Sequence, residues 1–204
     1  MLKKLFSGFQ SSAAGTMLSR VAGAARDIAI ANALGAGRVS DAFWIAFTVP
    51  SLFRRFVADE GLTGVMVPAL SREESRADRE SARKLAGAVL VALVLACVVI
   101  CVLGIALAPA LVRMCGWGMT RNPEQLELAI SLTRWMMPFV VTVSLLSWCE
   151  GVLNLRDHYF LPKLAPALVN AGMVAAVLGL TGALGSPERA LVAGLLVGGV
   201  AQVL

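Results

Sequence analysis

Long apolar runs alternate with short polar stretches along the whole chain. Residues 85–112 carry no charge over 28 positions, and residues 164–187 none over 24. About 20 apolar residues span a bilayer as a helix. Ala, Gly, Leu and Val fill these runs without long period-two alternation, so the pattern predicts helices rather than a barrel. The polar punctuation predicts six helices, at about 5–34, 41–70, 85–114, 123–155, 164–184 and 188–204. Gly35 and Gly37 close the first, and Ser40 or Asp41 is placed to cap the second. Pro50, followed by Gly61, Gly64 and Pro68, predicts that the second helix bends or breaks. Residues 71–84 read as a polar loop. Pro123 suits the first turn of the fourth helix, which also contains Pro138. Residues 156–163 read as a short polar turn, and Pro166 and Asn170 lie in the fifth helix. The sixth is still apolar at Leu204, so the chain is expected to be the front part of a longer membrane protein.

Composition agrees: 58% of residues are hydrophobic and 15% charged, against about 25% charged in soluble domains. The fold class expected is an all-α integral membrane bundle of six transmembrane helices. In such a protein the net charge of +5 reports topology rather than nucleic-acid binding. Nine Lys and Arg fall on the side of Lys3, Lys4, the 71–84 stretch and the 156–163 turn; four (Arg38, Arg113, Arg121, Arg189) fall on the other. The N-terminus is therefore expected in the cytoplasm and the Gly35–Gly37 turn outside. The first residues look like the start of a signal peptide, but the apolar region is short and continues as a helix, so it is expected to be retained. Cys97, Cys101, Cys115 and Cys149 match no metal spacing and read as free thiols. His158 is the single histidine. No metal, cofactor or catalytic triad is expected.

The stretch 19–61 breaks the uncharged pattern. Arg20, Arg26, Arg54 and Arg55 lie far from the predicted helix ends, interleaved with Asp27, Asp41, Asp59 and Glu60. A charge in mid-membrane costs about 2.5–3.5 kcal/mol on insertion scales. Arg20 falls at the midpoint of the first predicted helix and Arg55 at that of the second, with Arg26 about 9 Å further outward than Arg20. One reading is a scaffold of ion pairs: Arg55 with Asp59 one turn on, and Arg20 with Asp27 on one face. The other is a water-filled cavity whose arginines grip an anion with their planar donor forks. Apolar residues would serve stability better at this depth, which favours the cavity. Ser19 and Asn170 are candidate cavity-wall residues, Asn170 also suiting an interhelical hydrogen bond. Arg134 and Glu150 read as interfacial anchors rather than cavity residues.

The residues Ser19-Arg20-Val21, Gly23, Ala25-Arg26-Asp27, Gly35-Ala36-Gly37, Asp41-Ala42-Phe43, Pro50-Ser51-Leu52-Phe53-Arg54-Arg55 and Glu60-Gly61 form an ordered signature. Val67-Pro68 and Pro166-Ala167-Leu168-Val169-Asn170 continue it. This signature resembles that of the MviN/MurJ family of lipid II flippases, within the multidrug/oligosaccharidyl-lipid/polysaccharide exporter superfamily. The resemblance implies two six-helix lobes and two C-terminal helices around a central cavity, with this chain as the N-terminal lobe, truncated relative to the family. It implies transport rather than enzymatic chemistry. Lipid II, the undecaprenyl-pyrophosphate-linked peptidoglycan precursor, would move from the inner to the outer leaflet of the bacterial cytoplasmic membrane. Arg20, Arg26 and Arg54 would face its pyrophosphate. Asp41 and Glu60 would serve gating, with Asp27, Arg55 and Asp59 as gating or ion-pair residues. The implied partners are lipid II, membrane lipids and the missing C-terminal lobe, not nucleic acid. Alternatives are an exporter of another lipid-linked saccharide or small molecule, and a non-transport membrane scaffold fragment.

Overall fold

A computed structural model describes residues 2–54, 79–154 and 160–204. Among them the regular structure is helical throughout. Helix α1 (Leu2–Leu34) is 33 residues long. Gly35 ends it in the left-handed region at φ +66°, donating its N–H to the Ala31 carbonyl at 2.9 Å. That conformation is strained for any residue with a Cβ.

Helix α2 (Arg38–Arg54) begins earlier than the expected caps. The Asp41 N–H already donates to the Gly37 carbonyl at 3.1 Å, so Ser40 and Asp41 lie in the first turn. There the Asp41 carboxylate meets the positive end of the helix dipole. Helix α2 runs on through Pro50 to Arg54. The remainder of the second predicted helix lies outside the described residues.

Helix α3 (Arg79–Cys115) is 37 residues long and starts six residues before its predicted start. The last part of the expected 71–84 loop is therefore helical. Glu80 sits in its first turn and pairs with Lys84 at 2.8 Å, four residues on, a spacing that supports a helix start. A 3₁₀ turn (Trp117–Arg121) leads to Asn122, whose side chain accepts from the Gln125 N–H at 3.4 Å and caps α4 (Pro123–Met136).

The single helix expected over 123–155 is interrupted, α4 being followed by α5 (Phe139–Asn154). Pro138 has no N–H to continue the ladder. The chain bridges the gap with Met137 N–H on Thr133 O and Val140 N–H on Met137 O, both 3.0 Å. The track is thus interrupted at Met137–Pro138 rather than ended.

The helix expected over 164–184 starts earlier and comes in three pieces: α6 (Phe160–Leu164), α7 (Pro166–Gly179) and α8 (Thr181–Leu184). Pro162 and Pro166 each fall in a first turn, where a missing N–H costs little. Helix α9 (Pro187–Ala201) follows. Three stretches, Lys84–Cys115, Pro123–Asn154 and Phe160–Gly179, are long and apolar enough to cross a membrane.

Helices α7 and α9 pack backbone to backbone. A Cβ on Gly194 would lie 2.5 Å from the Gly172 carbonyl oxygen and 2.7 Å from Met173 Cα; one on Gly198 would lie 2.7 Å from Val169 Cα. Small residues of this kind let membrane helices approach closely. Around that pair the core gathers Ile30 of α1, Phe43 of α2, Met136 of α4, Met173 of α7 and Leu191 and Leu195 of α9. Helix α1 packs mainly on α6 and α7, whereas α2 packs mainly on α4. The first two helices therefore meet little beyond their shared turn. An open cleft of about 580 Å³ lies where they part, lined by Asp27, Ala31, Gly35, Ser40, Asp41 and Trp44 among others.

Candidate functional site

Helix α1 has two faces. Gly15, Ser19, Gly23, Arg26, Ile30 and Ala33 recur every three or four residues and are buried or half-buried, the spacing of one helical face. Arg20, Ala24, Asp27 and Ala31 form a second, exposed stripe about a third of a turn round the helix, and Met17, Val21 and Ile28, opposite the bundle, are exposed and apolar. The arginines of this helix are thus divided: Arg26 looks into the bundle and Arg20 lies on the exposed stripe.

Three elements fix Arg26. Its Nε and Nη2 donate to Oδ1 of Asp27 at 3.0 and 2.8 Å. Its Nη1 donates to Oδ1 of Asn170, on α7, at 3.0 Å. Its guanidinium carbon lies 5.6 Å from the ring centroid of Phe47, on α2, within range of a cation–π attraction. Phe47 stacks in turn on Phe43 at 6.3 Å. The Arg26 side chain is 19% exposed and that of Asp27 53%. A half-buried cation is thereby neutralised from the cleft side and oriented from the bundle side.

Asn170 joins two helices. Besides accepting from Arg26, it donates through Nδ2 to the Ser19 backbone carbonyl at 3.4 Å. It is 7% exposed. Of its two expected roles the interhelical hydrogen bond is made, and it is made to the arginine of the charged stretch. Ser19 takes part through its carbonyl.

The expected pairing of Arg20 with Asp27 is not formed. Seven residues separate them by about 10 Å along the axis, and Asp27 is engaged by its neighbour Arg26 instead. Arg20 makes no ion pair among the described residues. Asp41 is exposed and lines the cleft that Asp27 also lines. Arg54 is the last residue of α2. Its side chain, together with Arg55, Asp59 and Glu60, lies outside the described residues. Glu150 was expected to anchor at an interface; it pairs with Lys163 of α6, half-buried. Gly15 of α1 backs that junction, since a Cβ there would lie 3.0 Å from the Phe160 carbonyl oxygen. The sequence reading did not single out Phe47. Its signal was present in the spacing of Phe43, Trp44 and Phe47, which puts three aromatics on adjoining turns of α2.

Residues 30–204 match the family model described as lipid II flippase MurJ. The chain belongs to that family. Lipid II flippase MurJ of Burkholderia cenocepacia is 36% identical over 189 residues, covering 93% of this chain and 37% of the relative. The probable lipid II flippase MurJ of Haemophilus influenzae is 29% identical over 196 residues, again 93% of this chain and 38% of the relative. A solved structure described as lipid II flippase MurJ, inward closed conformation, superposes with a TM-score of 0.77 at 22% identity. It covers 94% of this chain and 40% of that one, so the fold is shared. The chain thus spans well under half the length of these MurJ proteins. It is a membrane protein of the MurJ family, with apolar helices of spanning length.

Proposed function

We propose that this chain forms the N-terminal lobe of a lipid II flippase, with the exposed stripe of α1 lining the transport cavity. The observation that carries the reading is the division of α1. Arg20 and Asp27 stand on an exposed stripe of α1 between the bundle face and the apolar face of Met17, Val21 and Ile28, and at the expected mid-membrane depth charge against lipid would be costly. Cavity water and a second lobe would cover that stripe. The proposed arrangement is two lobes with six membrane helices in this one, the N-terminus in the cytoplasm of a bacterial cell and the chain in its cytoplasmic membrane.

The chemistry follows from the donors. A pyrophosphate entering the cavity competes with Asp27 for the Arg26 fork, because both are oxyanions that accept in pairs. Asn170 and Phe47 hold the guanidinium in place when Asp27 gives way. Arg20, which makes no ion pair among the described residues, would add a second cation, and Arg54 a third from α2. The lipid tail stays in the bilayer while the headgroup crosses, and the lobes rock to open each side in turn. Asp41 and Asp27 at the cleft between α1 and α2 would serve gating, and Arg55, Asp59 and Glu60 are proposed as further gating or ion-pair residues.

Complementation of flippase-depleted cells by the complete protein, with membrane abundance quantified, tests this. Arg20→Ala, Arg26→Ala and Arg54→Ala are each expected to fail at normal abundance. Growth with all three overturns the cavity reading; failure only through loss of protein supports an ion-pair scaffold, which the Arg26–Asp27 pair alone would fit. For topology, a Cys replacing Arg38 on a Cys-free background is expected to react with impermeant reagents from outside. Reaction only from the cytoplasm refutes the orientation.

A further inference from the structure

Away from the first two helices, α3 and α4 carry a second arginine arrangement. Pro109 lies inside α3 and has no N–H to offer the carbonyl four residues earlier, that of Ile105. Arg134 of α4 supplies the missing donor: its Nε donates to the Ile105 oxygen at 3.3 Å. The joint is tight beside it. A Cβ on Gly104 would lie 2.1 Å from Cε of Met137, so the Met137 side chain fills the place a larger residue would take. Arg134 is thus fixed at one nitrogen by a backbone oxygen that a proline left open.

Among the described residues the rest of its guanidinium has no partner in the bundle. Arg134 is exposed and makes no ion pair among the described residues. Val102, one turn before Ile105 on α3, is 60% exposed, and Trp135, next to Arg134 in the chain, 66%. Along α4 it lies seven residues past Glu127, about 10 Å beyond that carboxylate. Along α3 Ile105 lies about 12 Å from Arg113, in the last turn of that helix. A guanidinium there, on a face of spanning helices, must find phosphate or water to offset its desolvation. Nη1 and Nη2 are the paired donors that match phosphate oxygens. An exposed Trp beside it suits the boundary between acyl chains and headgroups.

We propose that Arg134, held by the Ile105 carbonyl, is a binding site for the phosphate of an anionic glycerophospholipid, with Trp135 against its glycerol and upper acyl region. The site is separate from the Arg26 cluster and does not depend on what that cluster transports. Its two parts have different duties. Arg134 supplies charge and fork; Pro109 keeps the carbonyl open that sets the fork's position.

Native mass spectrometry of the full chain purified in detergent tests it, with phosphatidylglycerol and phosphatidylcholine of matched acyl chains as probes. The chain is expected to keep one phosphatidylglycerol under collisional activation that strips phosphatidylcholine. Arg134→Gln is expected to cut retention of that last phosphatidylglycerol about tenfold, the loss of charge-assisted hydrogen bonds, without changing phosphatidylcholine binding. Arg134→Lys, which keeps the charge and loses the fork, is expected to fall between. Pro109→Ala keeps the arginine but returns an N–H to the Ile105 carbonyl, and it too is expected to fall between. Unchanged phosphatidylglycerol retention in Arg134→Gln overturns the site, as does equal retention of the two lipids by the unsubstituted chain. Should Arg134→Gln fail to fold, unchanged retention in both Arg134→Lys and Pro109→Ala overturns it. A patch covered by further protein would hold neither lipid, which also refutes it.

Discussion

Asn170→Ala offers a direct measure of how firmly the bundle holds Arg26. The substitution removes the 3.0 Å acceptor for Arg26 Nη1 and the 3.4 Å donor to the Ser19 carbonyl. A hydrogen bond to a charged group contributes about 1.5–3 kcal/mol. Interhelical hydrogen bonds in membranes average about 0.6 kcal/mol, and the longer bond to Ser19 belongs at or below that. The sum points to a loss of about 2 kcal/mol, or about 4–8 °C in Tm for a chain of this size. Thermal unfolding of the purified chain in detergent reads that loss. A double-mutant cycle with Arg26→Ala isolates the shared part, because most of the loss should vanish once Arg26 is gone. The expected coupling is above about 1 kcal/mol. A coupling below about 0.5 kcal/mol, with Asn170→Ala melting like the unsubstituted chain, refutes the claim that α7 positions Arg26.

Four further outcomes rest on the packing. Gly194→Ala is expected to cost about 2 kcal/mol, since its Cβ would meet the backbone of Gly172 and Met173 at 2.5 and 2.7 Å. Gly23→Ala is expected to be neutral or mildly stabilising, because the nearest atom to its Cβ is Asn170 Nδ2 at 3.6 Å and alanine favours the helix by up to about 1 kcal/mol; thermal melts of both variants check the pair. Glu150→Gln is expected to cost about 1 kcal/mol or less, with the difference from the unsubstituted chain shrinking as salt is raised, because Lys163 is 40% exposed. Arg20→Ala is expected to leave the melting point of the chain unchanged, within about 0.5 kcal/mol, while abolishing complementation in the complete protein, whereas Arg26→Ala should lower both.

The hydrophobic runs made the helical class legible, and the intrusion of arginines into 19–61 drew attention to the helix whose Arg26 meets both α2 and α7. The errors have local causes. Helix starts were missed at Arg79 and Phe160 because charged and aromatic first turns resemble loops until Glu80 with Lys84, and Pro162 at a helix start, are weighed for what they contribute. The interruption at Pro138 was signalled by a proline, but its form depends on which carbonyl the next N–H can reach. The pairing of Asp27 was misassigned because face-sharing at seven residues ignores side-chain reach, whereas Arg26 is adjacent. The role of Asn170 needed tertiary placement: no periodicity tells which arginine, 144 residues away, its amide will meet. Likewise, Pro109 announces an open carbonyl at Ile105, but only the packing of α3 on α4 brings Arg134 to it.

The way Arg26 is shared constrains how this part of the protein can move. Helices α7 and α9 are joined through Gly172, Gly194 and Gly198, where backbone meets backbone, and a packed interface of that kind shifts as a unit or not at all. Helix α1 is tied to that unit by Asn170 near its middle and by Gly15 against α6 lower down. Helix α2 is tied elsewhere, to α4, and meets α1 chiefly near the turn that Gly35 makes possible. Among the described residues its hold on the site is the face of Phe47, a cation–π contact of about 0.5–2 kcal/mol. Sliding α1 against α7 would break charge-assisted bonds and strand a half-buried cation; parting α2 from Arg26 would break only the weaker contact at the site, provided that α2 moves together with α4, on which it packs. The compliant boundary is therefore the cleft itself, between Asp27 on one wall and Asp41 on the other. An anion drawing Asp27 away from Arg26 would change the charge facing Asp41 across that boundary, which couples occupancy of the arginine to the width of the opening without requiring α1 to leave the bundle.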